Sequence, residues 1–410
     1  MNRRSPSPFD KPIAHLAEAD VKKFMAEKPG EASISFPQTA IAGSVGDLAR
    51  ELADGTEVPE EFFFAAALTV VGSLCAERLK LAVNLECETR LYTVLLGASS
   101  DVKKSTALRR TVKTLIPLLL ARIEVLYGIG SAEGLARVLA EKNHVLLAYD
   151  EMKSLFDKCK IEGSSLLAIV ASFFENTRWS NPTKDPRQSI QVNDGHLSLL
   201  ACCTIDTYSN MWTAEAISIG LPNRLFVVSS DRKPKIAWPK EPDLDKIERH
   251  VRRIQKQLDT LPKTIGITPE AKTRWSDWYV NLGSGVHAKR LDALGFRLMQ
   301  LLALTADREM IDLQTIDAVL SILDYEFQIR LLTDPIDAEN VVARMEEKIR
   351  RTLAAKGPLS HRRLLQCTNA NRTGLWALET AISNLKHHEQ IRLENGLQVY
   401  FLVPEDADAH

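Results

Sequence analysis

The chain has 410 residues, which at about 150 residues per domain argues for two or three domains and against a single small binding module. Its 52 basic residues nearly balance 53 acidic ones, leaving a formal charge of −1, so the whole chain is not a broadly cationic partner of nucleic acid or membranes and any polyanion site must be local. Apolar residues at 45 % and charged residues at 26 % exclude the disordered, collagen-like and coiled-coil classes.

Residues 1–35, rich in Pro, Ser, Lys and Glu, predict a mobile arm. Residues 36–78 predict a helical preface, Ser44 to Ala53 and Pro59 to Leu79, with Pro59 where a first turn tolerates it. The apolar run Phe62 to Ala76, flanked by Glu61 and Glu77, falls short of the roughly 20 residues that cross a bilayer and predicts a buried helix, so no membrane partner is expected. Met1 to Pro12 lacks the apolar stretch of a secretory signal, which predicts a cytoplasmic location. The six cysteines show no disulfide spacing and read as reduced structural thiols, and the nine histidines make no helical metal pair. No metal beyond a nucleotide-bound magnesium is expected.

Residues 79–239 predict the core. Leu79 to Leu85 and Leu91 to Leu96 are β-prone, a helix is expected from Ser105 to Leu126, and another from Ser131 to Glu141 under a Ser131 cap. Apolar strands follow at Val145 to Tyr149, Leu197 to Thr204 and Leu225 to Ser229. Buried strands alternating with helices predict a parallel α/β sheet covered on both faces. Residues 240–335 read as helices alone, Asp243 to Thr260, Pro269 to Asn281, His287 to Ala306 and Leu313 to Leu332, forming a lid. Residues 336–410 predict three helices, Val341 to Lys356, Ser360 to Gln366 and Arg372 to His388, then a two-stranded hairpin around Asn395-Gly396, the winged helix-turn-helix pattern.

The segment from Gly97 through Lys103, Lys104, Ser105 and Thr106 follows a strand and opens a helix, as a phosphate-binding loop must. There backbone amides surround phosphates, the Lys reaches the β- and γ-oxygens and the next Ser holds magnesium. Gly97 to Lys104 is one residue longer than the usual spacing, and Lys103 replaces the second Gly. A non-glycine residue there must accept a strained backbone, or the loop another shape. A Lys/Ser-rich turn capping a helix is the competing reading.

Downstream, the strand ending at Tyr149 delivers Asp150 and Glu151 to the carboxyl edge of the sheet, where ligands of open α/β sheets bind. Asp150 would hold magnesium and Glu151 would act as general base; a pair capping the next helix is the alternative. Thr204 ends the next strand and would stand by the γ-phosphate. Arg224, just before the last strand, is a candidate arginine finger toward a neighbouring subunit. Arg290 and Arg297 share a helix face and would reach back to the nucleotide, unless that face is simply solvated.

This order of elements resembles the helicase-like P-loop ATPases of the domain of unknown function 3987 type, over residues 36–333. Such proteins are similar to AAA+ ATPases and belong to phages, plasmids and genomic islands, often beside primases. The resemblance implies ATP and Mg2+ as cofactors and single- or double-stranded DNA as partner. It also implies a homo-oligomer of the hexameric-ring kind, and ATP-driven DNA remodelling or helicase-like replication work. The departures in the loop leave open a nucleotide-responsive DNA-binding or scaffold protein with little hydrolysis.

Between Val341 and Pro404 ten Lys and Arg face five acids, a local charge of +5 on a neutral chain. Arg362, Arg363, Asn371, Arg372 and Thr373 fall where a winged helix grips or reads DNA. Helical spacing assigns Trp376, Leu378, Ile382 and Leu385 to its core, and protein docking is the competing use of such a module.

Overall fold

A computed structural model describes residues 34–403, except 86, 99–101, 120–121, 160–163, 186, 188, 231–233, 284–285, 334–340, 369, 371–373 and 395–398. The expected N-terminal arm and the Asn395-Gly396 turn therefore lie outside the described residues. The chain divides into two compact units. One covers Ser35–Pro335 and the other includes Ile336–His410.

The larger unit is a mixed α/β structure around a five-stranded parallel sheet. Its strands are β2 (Tyr92–Gly97), β3 (Glu124–Leu126), β4 (His144–Tyr149), β7 (His196–Thr204) and β8 (Leu225–Ser229), in the spatial order β3-β4-β7-β2-β8. The sheet interior is built of continuous apolar strands, as a parallel sheet covered by helices requires. Helix α1 spans Gly43–Ala53 and α2 spans Glu60–Cys75. Because α2 is apolar on every side, it has no face for water, and it lies against β2, β7 and β8. Helix α3 (Lys104–Leu119) packs beside it. Helix α4 (Ala132–Lys142) starts under its predicted cap, Ser131 Oγ accepting from Gly134 N at 3.1 Å.

Three expectations need correction. The helix after the Gly97 loop ends at Leu119 instead of running to Leu126; Pro117 lies in its last turn, and Glu124–Leu126 is the edge strand β3, too short to show a period. The β-prone run from Leu79 contributes only β1 (Lys80–Leu81). The region after Pro239 is not helical alone, since β9 (Thr264–Ile267) pairs in parallel with β1 on one side and β10 (Met310–Ile311) on the other. A two-stranded antiparallel ribbon, β5 (Trp179–Asn181) and β6 (Ile190–Val192), was also not expected.

The helices of that region are α9 (Leu244–Asp259), α10 (Pro269–Val280), α11 (Leu291–Thr305) and α12 (Leu313–Thr333). Of these, α12 closes the sheet. At the β8 edge the Glu326 carboxylate accepts from Val227 N at 3.1 and 3.2 Å, and Tyr325 Oη bonds both Ser229 N (2.7 Å) and Ser229 O (3.0 Å). Arg330 donates to Leu225 O at 3.0 Å and pairs with Glu326 at 3.1 Å. Side chains of one helix thus stand in for a sixth strand.

The smaller unit holds α13 (Val341–Lys356), β11 (Leu359–Ser360), α14 (His361–Cys367), α15 (Leu375–His387), β12 (Ile391–Glu394) and β13 (Val399–Leu402). Its antiparallel sheet has three strands, β11-β13-β12, one more than the hairpin expected. Met345, Ile349, Leu353, Leu364, Leu378 and Leu385 fill its core with Tyr400. Trp376 is not in that core: it is 69 % exposed on the first turn of α15, one position off the Leu378–Ile382–Leu385 stripe.

Candidate functional site

Three neighbouring strands end together. Gly97, last in β2, is in register with Thr204, last in β7, and Tyr149, last in β4, is in register with Ala201 of β7. Since β7 lies between β2 and β4, the Gly97 loop and the acid pair leave the sheet on either side of Thr204, about 10 Å apart by strand spacing.

Gly97 is there because nothing larger fits: a Cβ would stand 2.4 Å from Val102 Cγ2. Lys104, first residue of α3, is buried, and its Nζ donates to Gly97 O at 3.0 Å and Ala98 O at 2.8 Å. The ammonium is thus curled over the end of β2. Lys103 takes the left-handed backbone that the absent glycine would supply freely, with φ +48°, and its exposed ammonium lies 3.9 Å from Glu57. The strained alternative foreseen for the loop is the one observed at this residue. Ser105 and Thr106 sit half-buried on the first turn of α3, with Thr106 N donating to Lys103 O at 3.0 Å.

Asp150 and Glu151 are both exposed, and Met152 N donates to Cys202 O at 2.8 Å, pinning the acid pair beside β7. Cys203 Sγ donates to Glu151 Oε1 at 3.8 Å, a contact the sequence reading missed because it assigned Cys203 to structure alone. Burial, and then the Glu151 carboxylate, push that thiol up to about 12, so it stays a donor. The only signal was its place, one residue before Thr204 on a strand neighbouring the acids. Thr204 is already employed within the chain: its hydroxyl accepts from Thr207 N at 3.2 Å and donates to Thr207 Oγ1 at 2.8 Å, capping helix α7 (Ile205–Met211).

The arginines lie elsewhere. Leu225 is in register with Tyr92, so Arg224 stands at the edge where the strands begin, about 20 Å along the sheet from the loop. Its Nη1 donates to Ile219 O (2.7 Å) and Gly220 O (2.8 Å), and Nη2 is 3.8 Å from Glu175. Arg290 stands at the residue before α11, in the left-handed backbone region at φ +61°, and its side chain pairs with the same Glu175. Arg297 corrects the expectation of a solvated or nucleotide-facing helix face. It is buried, donates to Arg90 O (2.5 Å) and Phe174 O (2.6 Å), and stacks 4.0 Å over the Phe174 ring. That edge also gathers Glu77, His144 and His196, side chains able to hold a metal ion.

In the smaller unit Arg362 and Arg363 are exposed on the first turn of α14, whose cap Ser360 accepts from Arg363 N at 3.4 Å. Asn371, Arg372 and Thr373 lie outside the described residues. No protein-family model matches the chain, and no curated protein matches it either.

Proposed function

We propose that the chain is an AAA+-type P-loop ATPase that couples ATP hydrolysis to DNA remodelling or helicase-like replication work, with a winged helix-turn-helix as its second unit. The observation that carries this reading is the meeting of the Gly97 loop, Lys104, Thr204 and the Asp150-Glu151 pair at the carboxyl edge of three adjacent parallel strands, where open α/β sheets bind ligands.

The residues suit ATP and magnesium. An ammonium resting on two carbonyl oxygens can exchange them for phosphate oxygens, the partners a phosphate-binding loop offers its Lys. Ser105 and Asp150 would hold Mg2+, which supplies charge neutralisation on the phosphates. Glu151 accepts the proton of the attacking water, and the Cys203 thiol orients that carboxylate. Arg224, remote from its own loop, would have to leave Ile219 O, Gly220 O and Glu175 to act on a neighbouring subunit's nucleotide.

The second reading, a nucleotide-responsive DNA-binding or scaffold protein with little turnover, is favoured by Lys103 at positive φ and by the capped Thr204 hydroxyl. ATP binding and hydrolysis by the full chain, with and without single- and double-stranded DNA, separate the two. Lys104→Ala is expected to abolish nucleotide binding. Glu151→Gln is expected to keep binding while losing about 10²–10⁴-fold in turnover. Binding without hydrolysis in the unaltered chain decides for the second reading, and absence of binding overturns both.

A further inference from the structure

We infer that Glu77, His144 and His196 form a three-ligand site for a divalent metal ion of the zinc class, at the sheet edge opposite the Gly97 loop. The topology assembles it: Glu77 follows α2, His144 opens β4, and His196 opens the neighbouring strand β7. His196 Nε2 is 3.0 Å from Asp194 Oδ1 and 3.5 Å from Glu77 Oε2, and His144 Nε2 is 3.5 Å from Glu77 Oε1. One ligand atom from each of Glu77, His144 and His196 lies within 4.8 Å of the other two, near the spacing of about 3.3 Å that ligand atoms about 2.0–2.1 Å from a tetrahedral ion adopt.

Two further observations point the same way. His196 Nδ1 is 3.0 Å from Glu88 Oε2, and Arg90 Nε is 2.5 Å from that same oxygen. A carboxylate bonded to the outer nitrogen of an imidazole fixes the ring, the arrangement found behind metal-binding histidines; the other nitrogen, Nε2, is hydrogen-bonded to Asp194 Oδ1, a bond that an ion would replace. The His144 and His196 rings stack 4.5 Å apart with an 18° tilt. Glu77 itself is held at φ +60°, a conformation a glutamate adopts only at a cost. Three protein ligands leave the fourth position of a tetrahedral ion open to water. The site ties the end of the buried helix α2 to the first residues of β4 and β7.

The competing account is a metal-free cluster of imidazole and carboxylate groups, and Co2+ distinguishes them. The full chain is stripped with a chelator, desalted and titrated with Co2+, then with Zn2+. The inference expects the visible bands of tetrahedral Co2+, saturating at one equivalent and abolished by Zn2+, together with a rise in Tm on Zn2+ addition. Glu88→Gln should weaken Co2+ about 10–100-fold. His196→Ala removes a buried ring and can unfold the chain, so Glu77→Gly is the decisive variant. Glu77→Gly relieves the left-handed backbone at an exposed position, so it stays folded by circular dichroism while its Co2+ affinity falls at least tenfold. No tetrahedral bands in the unaltered chain, an octahedral spectrum, or unchanged affinity in folded Glu77→Gly overturns the site.

Discussion

Lys103 and Lys104 are adjacent, yet they are governed by opposite rules. Lys104 is buried because its ammonium finds two carbonyls; Lys103 is exposed and pays for its place in the backbone. A left-handed non-glycine residue costs about 1–2 kcal/mol, and glycine's extra chain entropy returns about 0.5–1 of that. Lys103→Gly should therefore raise stability by up to about 1 kcal/mol in thermal unfolding, without loss of ATP binding. A fall in stability would assign more weight to the Lys103–Glu57 pair than an exposed 3.9 Å contact usually carries. At this scale the sequence was informative where chemistry is carried by local spacing, as in Lys104-Ser105 and Asp150-Glu151. It was silent on Cys203, Glu326 and His196, whose roles depend on a partner 52, 99 or 108 positions away.

Among elements, those with length and period were legible and those without were not. Helices α1, α2, α4, α9, α10, α11 and α12, and strands β2, β4, β7 and β8, have the apolar pattern that their neighbours demand. Strands β3 and β10 are three and two residues long, too brief for any alternation to register, and β9 is hidden between two helices. Trp376 shows the limit of face assignment at a helix start, where one position moves a side chain by about 100°. The clearest element-level test is the Glu326–Arg330 pair, both buried. Glu326→Leu leaves a buried guanidinium and the Val227 amide without their carboxylate, so a loss of about 3–5 kcal/mol is expected by chemical denaturation. A change under 1 kcal/mol would mean that water reaches this edge.

At the scale of the molecule, the second unit has a core of its own. The fragment 336–410 is therefore expected to unfold cooperatively by itself, as followed by circular dichroism, and to bind duplex DNA at low salt. Arg362→Ala with Arg363→Ala should flatten the slope of log affinity against log salt by about 1.8, at roughly 0.9 for each phosphate contact removed. A folded fragment with no DNA affinity would make this unit a docking module, and exposed Trp376 would then mark its binding face. Composition had already indicated that any DNA site is local, because the net charge of +5 between Val341 and Pro404 is cancelled by Asp337, Glu339, Glu405, Asp406 and Asp408 within the same fragment.

The closure of β8 by α12 sets a timetable for synthesis. Val227 and its cap Glu326 are 99 positions apart, and an uncapped β8 offers free amides and carbonyls to any passing strand. At about 5–20 residues per second a nascent chain spends roughly 5–20 s between making that edge and making the helix that closes it. During that interval the apolar sheet is complete on one side and adhesive on the other. Overproduction that crowds such chains together should therefore yield aggregates seeded at β8, and a chain that stops before residue 313 would never leave that state.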